Sequence, residues 1–320
     1  MQKPAGIVAC GAYVPRLRLE RAAIAAAIGW AGAPRPRPPA GRRSYCSWDE
    51  DSITMAVEAA RDCLQHQDRS RVRWAGFAST TAPFADRSNA GVVATALDLP
   101  EATVTLDSGG SQRAGSTSLH AALDWIAAGR DELALVTAAD RRLARPGSVA
   151  ELAYGHGAAA LLVGSGSDVI AAELARHSLQ DDFVDHYRAD GEDFDYALEE
   201  RWVRDEGYLK LLPKAVLAAL ELAGVAATDV AHFIASCPAA VAKTVARTVG
   251  FGDPAVGADL RVECGDLGVP HALLLLAATL ETARPGAVIV LAVFGQGCDV
   301  RLSRSARKPQ SICSSPPLAR

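Results

Sequence analysis

The chain alternates between two patterns of apolar positions, one with the period of a strand and one with the period of a helix. Short apolar runs and alternations predict strands at residues 6–14, 74–80, 103–107, 132–139, 158–163, 168–174, 230–235, 288–293 and 299–302. Apolar stripes at helical spacing predict helices at residues 16–30, 53–64, 89–97, 114–128, 207–224, 239–249 and 269–283. This regular alternation predicts an α/β fold.

The order of predicted elements occurs twice, each time ending in two consecutive strands, which suggests an internal duplication. Residues 1–178 form the predicted N-terminal half and residues 207–302 the predicted C-terminal half. Between them, residues 179–206 are acidic and aromatic and predict an excursion, or lid, over the body of the protein. Residues 303–320 carry Pro, Ser and basic residues without a pattern and predict a disordered tail.

Residues 103–129 (TVTLDSGGSQRAGSTSLHAALDWIAAG) are the stretch around which the other elements are arranged. A strand leads into the small residues 108–111, and a helix follows from Ala114. Small residues let a ligand approach the backbone, and a helix start offers unpaired N–H groups to a carbonyl. An ordinary strand-to-helix turn is the alternative interpretation, and local features alone favour it.

Composition excludes several classes of function. The 320 residues are 49% hydrophobic and 22% charged, which is typical of a globular protein with a sizeable core. A net charge of −4 gives no electrostatic case for nucleic acid, and no apolar run is long enough to span a membrane. The seven cysteines form no CxxC pair and the seven histidines have no metal-ligand spacing, so we expect reduced thiols, no metal and a cytoplasmic location.

Separated blocks of the sequence resemble the 3-hydroxy-3-methylglutaryl-CoA synthases of archaea and bacteria, in the thiolase-like superfamily. The blocks are GIVACGAYVPRLRL, DEDSITMAVEAARD, FASTTAPFADRSNAGVVA, SQRAGSTSLHAAL, AYGHGAAALLVG and VLAVFGQGCD. They extend the resemblance to about Leu302. The resemblance implies a thiolase-like five-layered αβαβα fold from two duplicated halves. It also implies acyl-CoA substrates, Claisen-type carbon–carbon bond formation, no cofactor besides the coenzyme A thioester, and a homodimer or heteromer formed through the strand before the 108–111 turn.

The four catalytic motifs of that family are all altered here. Gln112 stands at the position of the nucleophilic Cys, and Thr80 at that of the general base Glu. Ser236 replaces the His of a His-x-Pro motif, and Asp266 replaces the Asn of a Gly-Asn motif. The small residues that the resemblance places along the substrate tunnel are Gly109, Gly110, Ser111, Gly115 and Gly265.

Three hypotheses for function follow from these changes. The chain is an acyltransferase with relocated groups, for which Cys237, Cys264 and His271 are the candidates. Alternatively, it is a non-catalytic or assisting subunit of a complex with a thiolase and a zinc-ribbon/OB-fold protein. The third hypothesis is an acyl-CoA decarboxylase in which the amide of Gln112 binds the thioester.

Each candidate residue also has a purely structural interpretation. Cys237 and Cys264 are then buried small apolar residues, and His271 is a surface residue at a helix start. Asp107 either binds the backbone of its turn or orients a ligand. We expect His156 to lie in a turn between glycines, and Arg113 to be ion-paired at the edge of the core.

Overall fold

The computed structural model describes residues 4–31, 38–129, 132–252, 256–257 and 259–306. The strands up to the middle of the chain are β1 (Ala5–Tyr13), β2 (Leu17–Glu20), β3 (Arg42–Tyr45), β4 (Val72–Ala78), β5 (Val104–Ser108), β6 (Leu133–Arg141) and β7 (His156–Ser165). The helices in the same part are α1 (Arg21–Ala27), α2 (Ser52–Cys63), α3 (Asn89–Ala96), α4 (Ala114–Ala127) and α5 (Ala150–Ala153).

The remaining strands and helices belong to the second part of the chain. The strands are β8 (Ala171–Gln180), β9 (His186–Tyr187), β10 (Tyr196–Ala197), β11 (Val230–Ala235), β12 (Val288–Phe294) and β13 (Gly297–Ser305). The helices are α6 (Glu200–Trp202), a π-helical segment (Val203–Tyr208), α7 (Leu209–Ala223), α8 (Ala239–Val249), α9 (Arg261–Cys264) and α10 (His271–Thr282).

Strand pairing shows the internal duplication directly. The main sheet has the order β11-β12-β13-β8-β1-β7-β6-β4-β5. In its first half β4 is parallel to β6, β7 is antiparallel to β6, and β1 is antiparallel to β7. In its second half β11, β12, β13 and β8 repeat the same pairings in the same order. The halves join where Gly6 of β1 lies opposite Ala172 of β8.

Three apolar clusters divide the molecule into five layers. Helices α2 and α3 cover the outer face of the first half-sheet, and α7 and α8 cover the outer face of the second. Helices α4 and α10 lie between the half-sheets and contact both. Strand β6 is apolar almost throughout because both of its faces are buried. The five-layered αβαβα arrangement and the duplication are therefore confirmed.

Several predicted boundaries are wrong. Residues 17–20 form a strand paired with β3 rather than the start of a helix, because Leu17 and Leu19 alternate with polar residues. Strand β8 extends to Gln180 and occupies in the second half the place that β1 has in the first, so we place the boundary between the halves before Ala171. Strand β13 reaches Ser305, so the predicted tail does not begin at residue 303, and residues 307–320 lie outside the described part.

The topology brings the carboxyl ends of β4, β6, β11 and β12 to the same edge of the layered body. Parallel β4 and β6 end in residues 78 and 141, and parallel β11 and β12 end in residues 235 and 294. Ligand sites of α/β proteins lie at such edges. Among the described residues, no helix combines the length and apolar character needed to cross a membrane.

Candidate functional site

Asp140, at the end of β6, fixes the position of Thr80. Its buried carboxylate accepts hydrogen bonds from the Thr80 N–H at 2.8 Å and the Thr80 hydroxyl at 3.1 Å. It also accepts bonds from Ser79, Thr81 and the Val269 N–H at 3.0, 3.0 and 2.9 Å. Burial raises the pKa of Asp140, and the donating N–H groups and the charge of Arg142 act in the opposite direction. Thr80 is thus a structural contact of Asp140, and its hydroxyl supplies no base at the position of the family's Glu.

Gln112 lies in the turn before α4 and faces the excursion. Its Nε2 atom is 3.3 Å from Nε2 of His186, and His186 Nδ1 is 3.0 Å from the carboxylate of Asp185. A Cβ atom placed on Gly268 would lie 3.1 Å from Gln112 Oε1 and 2.5 Å from Asp140 Oδ2. Glycine is required at position 268 both by this crowding and by its φ of +76°. Gln112 therefore sits where the ends of α4, β6 and the loop before α10 meet.

Asp195 is the residue of the excursion that contacts the charged side chains of the site. One carboxylate oxygen lies 2.8 Å from the Arg142 guanidinium and accepts the Tyr154 hydroxyl at 3.0 Å, and the other lies 2.7 Å from Arg188. The Arg142 guanidinium also stacks on the Tyr154 ring at 3.7 Å. Burial alone would lower the pKa of Arg142, but Tyr154, Asp266 and Asp195 together raise it. This cluster is a desolvated, fully paired group of charges directly beside Gln112 and Thr80.

Asp266, which replaces the family's Asn, is held as a carboxylate. Its Oδ2 lies 3.2 Å from Nε of Arg261, and its Oδ1 accepts the Gly268 N–H at 3.0 Å. Burial alone would raise the pKa of Asp266, but the charges of Arg261 and Arg142 and the Gly268 N–H hold it below its usual range. An ionised carboxylate only accepts hydrogen bonds, so Asp266 cannot stabilise an oxyanion as an amide does.

Ser236, at the end of β11, stands where the family has its His. Its Oγ accepts the Phe294 N–H at 2.7 Å, and its own N–H donates to the Ala292 carbonyl at 3.1 Å. The hydroxyl ties β11 to β12 and provides no group that titrates near neutral pH. Arg261 connects the residue after Ser236 with another altered motif. Its Nη1 donates to the Cys237 carbonyl at 3.1 Å, and its Nε lies beside Asp266.

Cys237 and Cys264 are both buried thiols. Each is 1% exposed, and burial raises the pKa of each to about 12. The Cys264 thiol donates to the Leu260 carbonyl at 3.1 Å. The four other cysteines that the structure describes are buried as well. A nucleophilic cysteine needs an accessible thiolate, and neither Cys237 nor Cys264 provides one in this conformation.

His271 is buried at the start of α10, and its prediction as a surface residue is wrong. The helix lies in the middle layer, and the residues of its first turn are buried there. Burial lowers the pKa of His271 to about 3. The Leu267 N–H donates to Nδ1 at 3.4 Å, so the proton of the neutral ring is on Nε2. His271 is thus a neutral, buried ring whose Nε2 has no hydrogen-bond partner among the described residues.

The small residues predicted along a tunnel have different surroundings. A Cβ on Gly110 would meet nothing within 4 Å, and one on Gly109 would lie 3.2 Å from the Ser79 carbonyl. Ser111 donates to the Gly295 carbonyl at 2.8 Å. Gly115 lets α4 approach Leu273 of α10, and Gly265 lies against the backbone of residues 153 and 155. Of these four glycines, Gly110 faces open space, whereas Gly109, Gly115 and Gly265 lie close to neighbouring atoms.

Three further residues have structural roles. Asp107 accepts the N–H groups of Asn89 and Ala90 at 2.8 and 2.6 Å, so it binds backbone at the start of α3. Arg113 pairs with Asp299 at 3.3 Å, as predicted. His156 is the first residue of β7 rather than a turn residue, and it is buried with its Nδ1 accepting the Cys46 N–H at 3.1 Å.

Five residues of the site belong to none of the sequence motifs: Asp140, Arg142, Asp185, His186 and Asp195. Asp140 and Arg142 follow a predicted strand, so their place at a strand end was a usable signal. The other three belong to the excursion, where no motif marks them. Within the described residues, no group of three or more His, Cys, Asp or Glu side chains is placed to hold a metal ion.

Comparisons with known proteins agree with this architecture. The hydroxymethylglutaryl-CoA synthase of Methanocella arvoryzae is 30% identical over 298 residues, covering 91% of this chain and 85% of the relative. That of Aeropyrum pernix is 29% identical over 300 residues, covering 92% and 83%. The structure of MvaS in complex with 3-hydroxy-3-methylglutaryl coenzyme A superposes with a TM-score of 0.82 at 23% identity, covering 96% of this chain and 85% of that one. No protein-family profile matches the chain. The fold is thiolase-like.

Proposed function

The chain belongs to the hydroxymethylglutaryl-CoA synthase family, and on that premise we propose that it is an acyltransferase acting on acyl-CoA thioesters. The reaction is Claisen-type carbon–carbon bond formation, in which a carbanion beside one thioester attacks the thioester carbonyl of a second acyl-CoA, whose C–S bond breaks and releases coenzyme A. With Gln112 at the position of the nucleophilic Cys, we infer that the acyl group passes directly from coenzyme A to the carbanion, rather than through a cysteine of the chain.

The position of Gln112 is the observation that carries this proposal. Its side-chain amide occupies the turn at the start of α4, where the family has its nucleophilic Cys, two residues after Gly110, which faces open space. An amide forms no acyl intermediate, but its N–H groups can donate to a thioester carbonyl. The burial and raised pKa of Cys237 and Cys264 support the same reaction without an acyl-enzyme.

We further propose that the active form is a dimer built on β5. This strand is the last one of the main sheet, and its Val104 and Leu106 side chains are 47% and 41% exposed. Exposed sheet edges with apolar residues are surfaces on which a second strand pairs. The partner is a second copy of this chain or the heteromeric thiolase and zinc-ribbon/OB-fold chains.

A non-catalytic, assisting subunit is the second candidate function. The Arg142–Asp195–Arg188 cluster favours it, because these paired charges already occupy space beside Gln112 and Thr80, two of the altered motif positions. Such a chain retains the fold and the partner surface while another chain supplies the cysteine. An acyl-CoA decarboxylase that uses Gln112 remains the third candidate.

Calorimetry, intact-mass measurement and product analysis with acetyl-CoA and acetoacetyl-CoA separate these functions. We expect saturable binding of the acyl-CoA, no covalent adduct and release of a condensed product. Absence of binding by the isolated chain contradicts the proposal and favours the assisting subunit. An adduct that disappears in Cys237→Ser or Cys264→Ser shows a relocated nucleophile, and carbon dioxide from malonyl-CoA without condensation supports the decarboxylase. Free coenzyme A is the control ligand.

A further inference from the structure

We propose that His186, oriented by Asp185, is the base that removes the α-proton of the thioester bound at Gln112. This inference rests on the proposed function. It assigns the proton-transfer role to the excursion, outside all four motifs that the family resemblance identifies.

The geometry of the pair gives His186 the right tautomer for a base. Nδ1 of His186 lies 3.0 Å from Oδ1 of Asp185, and the same oxygen accepts the His186 backbone N–H at 3.0 Å. The Gln112 amide nitrogen can only donate, so it requires an acceptor on the facing ring nitrogen and places the ring proton on Nδ1, toward Asp185. The lone pair of the neutral imidazole is then on Nε2, the nitrogen that lies 3.3 Å from the Gln112 amide. The Gln112 Nε2–H donates to this lone pair when no substrate is present.

Local structure holds His186 in this orientation. Its backbone is paired with Ala197 in the β9–β10 hairpin, and the Leu198 N–H donates to the Asp185 carbonyl at 3.0 Å. The same hairpin region is anchored to the body of the protein by Arg188, which bonds to the Thr80 carbonyl and lies 2.7 Å from Asp195. The His186 side chain is 20% exposed and that of Asp185 is 14% exposed, so a ligand can reach the imidazole.

The ionised groups around His186 are Asp185, Asp195, Arg142 and Arg188. Burial alone would raise the pKa of Asp195, but Arg142 lowers it most, and His186 and Arg188 act in the same direction. Asp195 is paired with both guanidinium groups, so Asp185 is the carboxylate left to stabilise the imidazolium that proton abstraction produces.

The proton transfer is balanced in atoms and charge. His186 Nε2 takes a proton from the carbon beside the thioester carbonyl, and the C–H electron pair moves to the carbonyl oxygen as an enolate. The Gln112 Nε2–H groups, released from His186, donate to that oxygen. The enolate then either attacks the acceptor carbonyl or takes a proton back from His186, and in D2O it takes back a deuteron.

Deuterium exchange of the methyl group of acetyl-CoA, followed by NMR in D2O, tests this role. Wild-type protein should exchange these protons, and His186→Gln should slow the exchange by about 100-fold or more. Binding of acetyl-CoA, measured by calorimetry on the same variant, should stay within about 3-fold because the imidazole contributes little ground-state affinity. His186→Gly should recover exchange when free imidazole is added, which a merely structural role would not allow.

Asp185→Asn and His66→Gln complete the series. Asp185→Asn should slow exchange by about 10-fold and shift its pH profile, because the imidazolium loses its stabilising charge. His66 is exposed and lies in the segment between α2 and β4, so His66→Gln should exchange at the wild-type rate. Acetyl-CoA binding with no exchange, or with exchange unaffected by His186→Gln, overturns the role of His186 and leaves the proposed function standing. Absence of acetyl-CoA binding by wild-type protein overturns the proposed function and this role together.

Discussion

The Arg142 guanidinium and the Asp195 carboxylate form a buried ion pair at 2.8 Å, with side chains only 6% and 5% exposed. The two residues lie 53 positions apart, one at the end of β6 and the other in the excursion. The pair therefore makes the excursion a part of the site, not a loosely attached lid. Because Asp195 also accepts from Tyr154 and pairs with Arg188, a single carboxylate joins three segments.

Asp195→Ala should lower the free energy of unfolding by about 3–5 kcal/mol, because it leaves the Arg142 charge buried and unpaired. Urea unfolding followed by circular dichroism measures this change. Asp193→Ala, two residues earlier and exposed, is the matched control and should change the free energy by less than about 0.5 kcal/mol. Equal small effects for the two variants would show that the excursion is not anchored through Asp195.

His156 should make the protein sensitive to mild acid. Burial lowers its pKa from 6.5 to about 4, so between these values the unfolded chain binds a proton that the native protein does not. The free energy of unfolding therefore falls as pH drops through 6.5, and at pH 5 this residue alone accounts for a loss of about 2 kcal/mol. His156→Gln should be less stable at pH 7 but should lose about 2 kcal/mol less than wild type between pH 7 and pH 5. If His156→Gln lost as much free energy of unfolding as wild type between pH 7 and pH 5, the lowered pKa of His156 would be refuted.

The thiols of Cys237 and Cys264 should be unreactive in the native state. Their burial and raised pKa leave almost no accessible thiolate at pH 7.5. Alkylation with iodoacetamide, followed by peptide mass spectrometry, should modify neither residue in buffer and both in concentrated urea. Fast native modification of Cys237, blocked by acyl-CoA, would instead identify a reactive thiol in the site.

The isolated chain should form a dimer that depends on β5. Introducing charge through Val104→Glu with Leu106→Glu should shift the protein to monomers in analytical ultracentrifugation, since charges on an edge strand oppose strand pairing. Leu222→Glu is the control, because Leu222 is 64% exposed on α7 at the outer layer. A monomeric wild type, or a double variant that remains dimeric, would contradict the proposed interface.

Sequence patterns predict the elements with strong local periodicity and miss those that depend on distant partners. The strand at Val230–Ala235 and the helix at Ala239–Val249 match their predicted bounds, because the strand ends in a short continuous apolar run and the helix has one apolar face. Strand β2 was predicted as helix because its partner β3 follows only after a proline-rich stretch. Strand β8 was predicted too short because its charged residues bind across to α4, as Arg176 does to Asp124.

The same difference between local sequence patterns and contacts of distant residues applies to the site. Motif positions place Gln112, Thr80, Ser236 and Asp266 at the ends of strands and at the start of α4, and the structure has them there or in the adjoining loops. The sequence gives no sign that Thr80 binds Asp140, because that contact joins residues 60 positions apart. Asp185 and His186 were missed for the same reason: their importance comes from contact with Gln112, 74 positions earlier, and not from any local pattern.

Acylation of Gln112→Cys tests the central claim most directly, namely that acyl-CoA reaches the turn before α4. The new thiol would lie beside the His186 imidazole, which can take its proton and activate it. After incubation with acetyl-CoA, intact mass should show one acetyl group on Gln112→Cys and none on wild type. Thr117→Cys, an exposed position on the same helix, should acquire it at least about 10-fold more slowly, since it lacks the adjacent base. No acetylation of Gln112→Cys, or equal rates for the two variants, would contradict a thioester site at Gln112.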